Sequence, residues 1–195
     1  MRRKWNPNSM PRLKVSPWLL VFLCLFYRLD PVGCFWPFLA AGAIHELAHC
    51  LAVLLCGGRI TALRLGPAGA VMETSPLSYG QEALCALAGP IVGFLLLGLA
   101  RWLPWLAFWG LVQGVYNLLP VYPMDGGRAL RCLLLRNLPY EQGIRIAKAV
   151  TVAVGAVLAL LGVYATCVLH WGLWSALVAG LLLWRVLNCV QGEPG

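Results

Sequence analysis

The sequence predicts an all-α polytopic membrane protein with about six transmembrane helices, and three observations carry that prediction. Hydrophobic residues fill 61% of the 195 positions and charged residues 11%, against roughly 45–50% apolar in an ordinary soluble domain. The mean hydropathy is +0.77. The apolar residues are gathered into runs near the ~20 residues that a helix needs to cross hydrocarbon, with the basic residues placed at the ends of the runs. A separate soluble domain is not expected.

The N-terminal residues 1–14 are polar and basic, with Arg2, Arg3, Lys4, Arg12 and Lys14. The apolar run after them, roughly 15–28, is short for a span. A signal peptide has a similar start, but Arg28-Leu29-Asp30-Pro31 follows in place of a small-x-small cleavage site, so a first transmembrane helix with snorkelling flanks is preferred. The second span, 35–56, ends at Gly57 and Gly58. Residues 59–74, around the turn signal Gly66-Pro67-Ala68-Gly69, read as a small β-hairpin or as a plain loop. Further spans are expected over 83–100, 102–121, 146–168 and 171–190, divided by Arg101, by a polar stretch over 125–145 and by His170. Residues 191–195 are a polar tail, and 15–190 form one membrane core.

Charge sets the expected orientation. With the N-terminus inside, six spans leave only Arg28 and Arg101 outside, and both termini are cytoplasmic in a multi-pass cell-membrane protein. The net charge of +8 is then a topology signal. Nucleic acid is not an expected partner, because no polar domain carries interleaved basic and aromatic residues; the bilayer is the expected surrounding. The eight cysteines include no C-x-x-C pair and read as small packing residues.

Within the second span stands His45-Glu46-Leu47-Ala48-His49. Strongly polar groups in hydrocarbon cost several kcal/mol unless they are satisfied. On a helix, His45 and His49 share a face and can offer imidazole nitrogens to one metal ion, with Glu46 beside them. That is zinc-hydrolase geometry; the plainer reading is a buried histidine pair bonded to neighbouring helices. A catalytic zinc needs a third protein ligand. On the inner side the candidates are Glu73, Glu82, Glu141, Asp125 and cysteines, whereas Asp30 and His170 fall outside. Asp125 is favoured because Pro120 and Pro123 break the fourth span just before it, and irregular backbone at membrane depth must be buried or line a wet cavity. Alone, Asp125 reads better as the N-cap of the amphipathic stretch 126–136; the ligand reading gains from the His45-Glu46-x-x-His49 motif on the same side. Asn117, a polar amide within an apolar span, needs a partner, and a substrate backbone is one candidate.

The combination of His45-Glu46-x-x-His49, Ala88-Gly89-Pro90 and Asn117-x-x-Pro120-x-x-Pro123-x-Asp125-Gly126-Gly127 resembles the site-2 protease family of intramembrane zinc metalloproteases. It is most similar to the stage IV sporulation protein FB branch, over roughly residues 15–190. The resemblance implies one Zn²⁺ per chain held by His45, His49 and Asp125, Glu46 as the catalytic carboxylate, and substrate contact at Asn117 and Pro120. It further implies hydrolysis of a membrane-associated regulatory precursor, as in transcription-factor activation during sporulation, and control by a membrane regulator or inhibitor. Two positions depart from the pattern: Ala48 replaces a common glycine, and Gly93 stands where many relatives carry Asn. Competing functions are an ion transporter or channel using the intramembrane His and Glu, and a non-catalytic zinc-containing binder of membrane segments.

Overall fold

In the computed structural model, residues 12–30, 33–66 and 69–167, together with Gly180, are described. The second helix sets the architecture. Helix α2 (Phe35–Leu55) buries Ala41, His45, His49 and Val53, a stripe at intervals of four residues, while Leu47, Leu51 and Leu54 on its other faces are each more than half exposed. Polar groups face the protein and leucines face outward, which is the pattern demanded when the surroundings are lipid. Asp30 Oδ2 accepts from the Phe35 amide at 2.7 Å where the helix begins. Gly57, at φ +77°, follows its C-cap at Cys56.

Among the described residues, three helices are long and apolar enough to cross a membrane: α2, the continuous stretch Tyr79–Leu99, and α6 (Tyr140–Cys167). Tyr79–Leu99 combines α3 (Tyr79–Leu95) with a 3-10 turn (Leu96–Leu99). The expected spans over 15–28 and 102–121 are shorter helices, α1 (Pro17–Leu29, 13 residues) and α4 (Pro104–Leu118, 15 residues). The expected span over 171–190, the tail 191–195 and residues 1–11 lie outside the described residues, Gly180 excepted.

Several boundaries differ from the sequence reading, each for a local reason. Helix α3 starts at Tyr79, ahead of the apolar run that begins at 83, because Ser78 and Gln81 form a reciprocal capping box. The Ser78 amide donates to Gln81 Oε1 at 3.0 Å and the Gln81 amide to Ser78 Oγ at 3.4 Å, so two of the helix's unpaired N–H groups are satisfied by residues too polar for a hydropathy window to include. The stretch over 125–145 is a helix–turn–helix rather than a separator: α5 (Asp125–Asn137) precedes α6, which begins at Tyr140 rather than 146. Met124, not Asp125, is the N-cap of α5.

Residues 59–74 form the hairpin, β2 (Ile60–Gly66) paired antiparallel with β3 (Gly69–Thr74). A third strand, β1 (Arg12–Val15), was hidden in the basic N-terminal segment and runs parallel to β2, with Leu13 opposite Leu63. The chain is therefore helical with a three-stranded sheet of order β1-β2-β3. Four alternating residues are too short a signal to separate from a polar tail.

Helix α3 packs against α2, α4 and α5. Its contact with α4 is made backbone to backbone. A Cβ on Gly93 would sit 2.6 Å from the Gly110 carbonyl oxygen, and one on Gly114 3.1 Å from that of Pro90. Gly110-x-x-x-Gly114 is the small-residue spacing that lets apolar helices approach without a solvent-driven force between them. Gly93 thus has a packing role. The segment after α4 rests on α6, where Val121 and Met124 are buried against Leu119, Val154 and Leu158; the Tyr122 amide donates to Thr151 Oγ1 at 3.3 Å.

Candidate metal centre

Two elements supply the centre: the buried stripe of α2 and the first turn of α5. His45 Nε2 lies 3.0 Å from Asp125 Oδ2, His49 Nε2 lies 3.1 Å from the same oxygen, and the two imidazole nitrogens are 3.2 Å apart. All three residues are buried. An ion held tetrahedrally at ~2.0–2.1 Å from each donor needs separations of about 3.3 Å, so only a slight widening separates this triangle from one that would hold an ion.

The proton inventory also favours a cation. His49 Nδ1 lies 2.7 Å from the Cys85 carbonyl oxygen, which only accepts, so Nδ1 carries the hydrogen and a neutral ring presents a lone pair at Nε2. That lone pair faces a carboxylate oxygen and a second imidazole nitrogen. Among the described residues His45 Nδ1 has no hydrogen-bond partner, and the polar contacts of its ring are made through Nε2. Three converging electron-pair donors call for a proton or a metal between them. The Cys85 carbonyl stands where an outer partner would orient a histidine that holds a metal.

Space is left in front of the donors. A Cβ on Gly89 would overlap His49 Nε2 and lie 2.6 Å from His45 Nε2, so only glycine on α3 keeps this side of the triangle open. On α5, a Cβ at Gly126 would overlap the Leu118 carbonyl oxygen, and this tight return of the chain brings Asp125 back to α2. Gly89 and the Cys85 carbonyl were not singled out as site groups from sequence. The Ala88-Gly89-Pro90 triplet inside an apolar helix was the available signal for Gly89, whereas a backbone carbonyl leaves none.

Glu46 is half-buried, next to the stripe. Its carboxylate is in electrostatic contact with His45, His49 and Asp125, and the Ala70 amide of β3 donates to it. Asn117, in the last turn of α4, and Pro120, beyond it, are half-buried, and neither hydrogen-bonds to the cluster. Among the described residues, His45, His49 and Asp125 are the group of three side chains that could hold a metal ion.

A family model, "Peptidase family M50", matches residues 97–162, which span α4, the Asp125 return and most of α6. That stretch of the chain is similar to the peptidase family M50. Among similar proteins, the chain is 27% identical over 159 residues to a zinc metalloprotease of Methanocaldococcus jannaschii, covering 74% of its own length and 43% of the relative. It is 26% identical over 160 residues to stage IV sporulation protein FB of Bacillus subtilis strain 168, covering 73% of its own length and 54% of that protein. The chain thus spans about half the length of these relatives. Its fold is that of the solved site-2 protease from Methanocaldococcus jannaschii, with a TM-score of 0.65 at 24% identity over 94% of this chain and 92% of the other.

Proposed function

We propose that this protein is a membrane-embedded zinc metalloendopeptidase of the M50 type that hydrolyses a peptide bond in or near the membrane segment of a regulatory protein precursor. The observation that carries the reading is the convergence of His45 Nε2, His49 Nε2 and Asp125 Oδ2 within 3.2 Å of one another, on a helix whose outer face is leucine. Zinc bound there supplies a Lewis acid that polarises a carbonyl and acidifies water. Glu46, beside the donors, is the base that takes the water's proton and returns it to the leaving amine. The opening kept by Gly89 admits the scissile carbonyl. Asn117 and Pro120 contact the substrate backbone near the return loop.

A helical substrate must unwind before a protein group can reach its peptide bonds. Strand addition to the sheet accomplishes this; β2 is paired on both sides, leaving β1 and β3 as the outer strands, and β3 is the one that carries Ala70 beside Glu46. The Ala70 amide is turned towards Glu46, so by strand alternation the Met72 amide also faces away from β2. Met72→Pro removes that outward donor while leaving the β2 ladder intact. Cleavage slows severalfold with zinc content unchanged; equal cleavage rates exclude addition at this edge.

Both termini are cytoplasmic in this reading, the substrate is membrane-associated, and a membrane regulator controls access. The decisive experiment co-expresses wild type or Glu46→Gln with membrane-tethered transcription-factor precursors, including sporulation factors. Wild type releases a fragment that Glu46→Gln does not, and both variants purify with one zinc. Identical fragments from the two overturn the reading.

A further inference from the structure

A second polar site adjoins the donor triangle. Arg128, Arg131, Cys132 and Leu135 fall at i, i+3, i+4 and i+7 on one face of α5, and with Tyr79, Glu82, Tyr122 and Tyr140 they enclose a cleft of about 240 Å³. The walls come from the first turn of α3, the return loop and the start of α6. Arg131 stacks over Tyr122, 5.6 Å from the ring centroid. Arg128 Nη1 lies 3.9 Å from Asp125 Oδ1, while Oδ2 of the same carboxylate belongs to the donor triangle. Glu82 is the acid in the cleft, and the Cys132 thiol donates to it at 3.4 Å. Two guanidinium groups therefore share the cleft with the Glu82 carboxylate, and Asp125, whose other oxygen belongs to the donor triangle, lies at its edge beside Arg128.

We infer that this cleft binds an acidic side chain of the peptide substrate, two to three residues from the bond cut. The inference rests on the proteolytic reading above. Charge selects an anion, and paired guanidinium groups suit a carboxylate. The volume is below the ~300–1,000 Å³ of small-molecule sites and suits a single side chain. Tyrosine rings and Leu135 receive its aliphatic stem. Position selects a peptide over a lipid headgroup: one carboxylate group separates cleft from triangle, a gap that two to three extended residues cover at ~3.3–3.6 Å each.

The test uses the full chain carrying Glu46→Gln, so that nothing is cut, loaded with zinc in phosphatidylcholine nanodiscs. The probes are two labelled single-span peptides, one with Asp and Glu in its cytoplasmic flank and one with Asn and Gln. The acidic peptide binds about tenfold or more tightly than the amide peptide. Adding Arg131→Gln abolishes the preference, and Arg131→Lys retains part of it, each with one zinc per chain as the measure of folding. Equal affinities, or a preference that survives Arg131→Gln, overturn the inference. So does phosphatidylglycerol that blocks the cleft while the two peptides bind alike, which makes it a headgroup site. Cleavage by the wild-type chain is followed in parallel: charge-blind binding with cleavage removes the cleft's role alone, whereas Arg131-dependent binding without cleavage leaves the cleft's ligand intact and removes the proteolytic reading.

Discussion

Gly89 shows how a single hydrogen atom in place of a methyl group decides whether a metal centre is accessible. Its missing Cβ is the space in front of His45 and His49, so Gly89→Ala pushes the rings or α3 aside. Zinc retention after mild chelation is expected to fall at least tenfold relative to wild type, read by metal analysis of the purified protein, a loss of the size caused by displaced outer partners of metal ligands. Cys132 makes a different residue-scale prediction. Burial and the hydrogen bond to Glu82 push its thiol up to about 11, because both disfavour the thiolate. Alkylation of Cys132, with the other cysteines replaced, therefore stays slow through pH 9 and accelerates only as pH approaches 11. Glu82→Gln removes a negative neighbour, lowers the pKa and moves that acceleration to lower pH. An unchanged profile shows that Glu82 does not set it.

At the scale of elements, the contacts that aim the site are made by small residues and by loops. Helices α3 and α4 touch through Gly93, Gly110 and Gly114, and α3 carries Gly89 and the Cys85 carbonyl. Gly110→Leu forces the two helices apart, and overpacking of this kind costs about 1–3 kcal/mol. A lower unfolding midpoint in detergent, with weaker zinc retention, is the expected result. The return from α4 to α5 is held by Thr151 on α6, which accepts from the Tyr122 amide. Thr151→Val keeps the volume and removes the acceptor. Its expected effect is a tenfold or greater loss of zinc affinity, restored by Thr151→Ser, on the scale of outer-partner losses at metal sites.

For the whole molecule, His45, His49 and Asp125 are buried between α2 and α5, so an ion held there, as proposed, would tie the two helices together. Zinc present at a thousandfold excess over its dissociation constant stabilises the fold by about 4 kcal/mol. Chelation is expected to lower the unfolding temperature together with activity, and a metal-free protein of unchanged unfolding temperature excludes a zinc-linked fold. The proposed orientation is tested by fusions at either terminus: a fluorescent protein that matures only in the cytoplasm lights up at both, and alkaline phosphatase is inactive at both.

Composition, the apolar runs and the spacing of His45 and His49 sufficed to predict a helical membrane protein with a polar stripe on its second helix, because lipid penalises polar groups so heavily that few other arrangements survive. The Ser78-x-x-Gln81 box was also written in the sequence, although an apolar window passes over it. What tertiary structure alone decided was distance. The approach of Asp125 to α2 depends on the return of the chain over Leu118, the pairing of β1 with β2 depends on residues far apart in the chain, and the opening at Gly89 depends on how closely α3 lies to α2. These are long-range packing outcomes, and a local pattern of polarity does not encode how near two helices come.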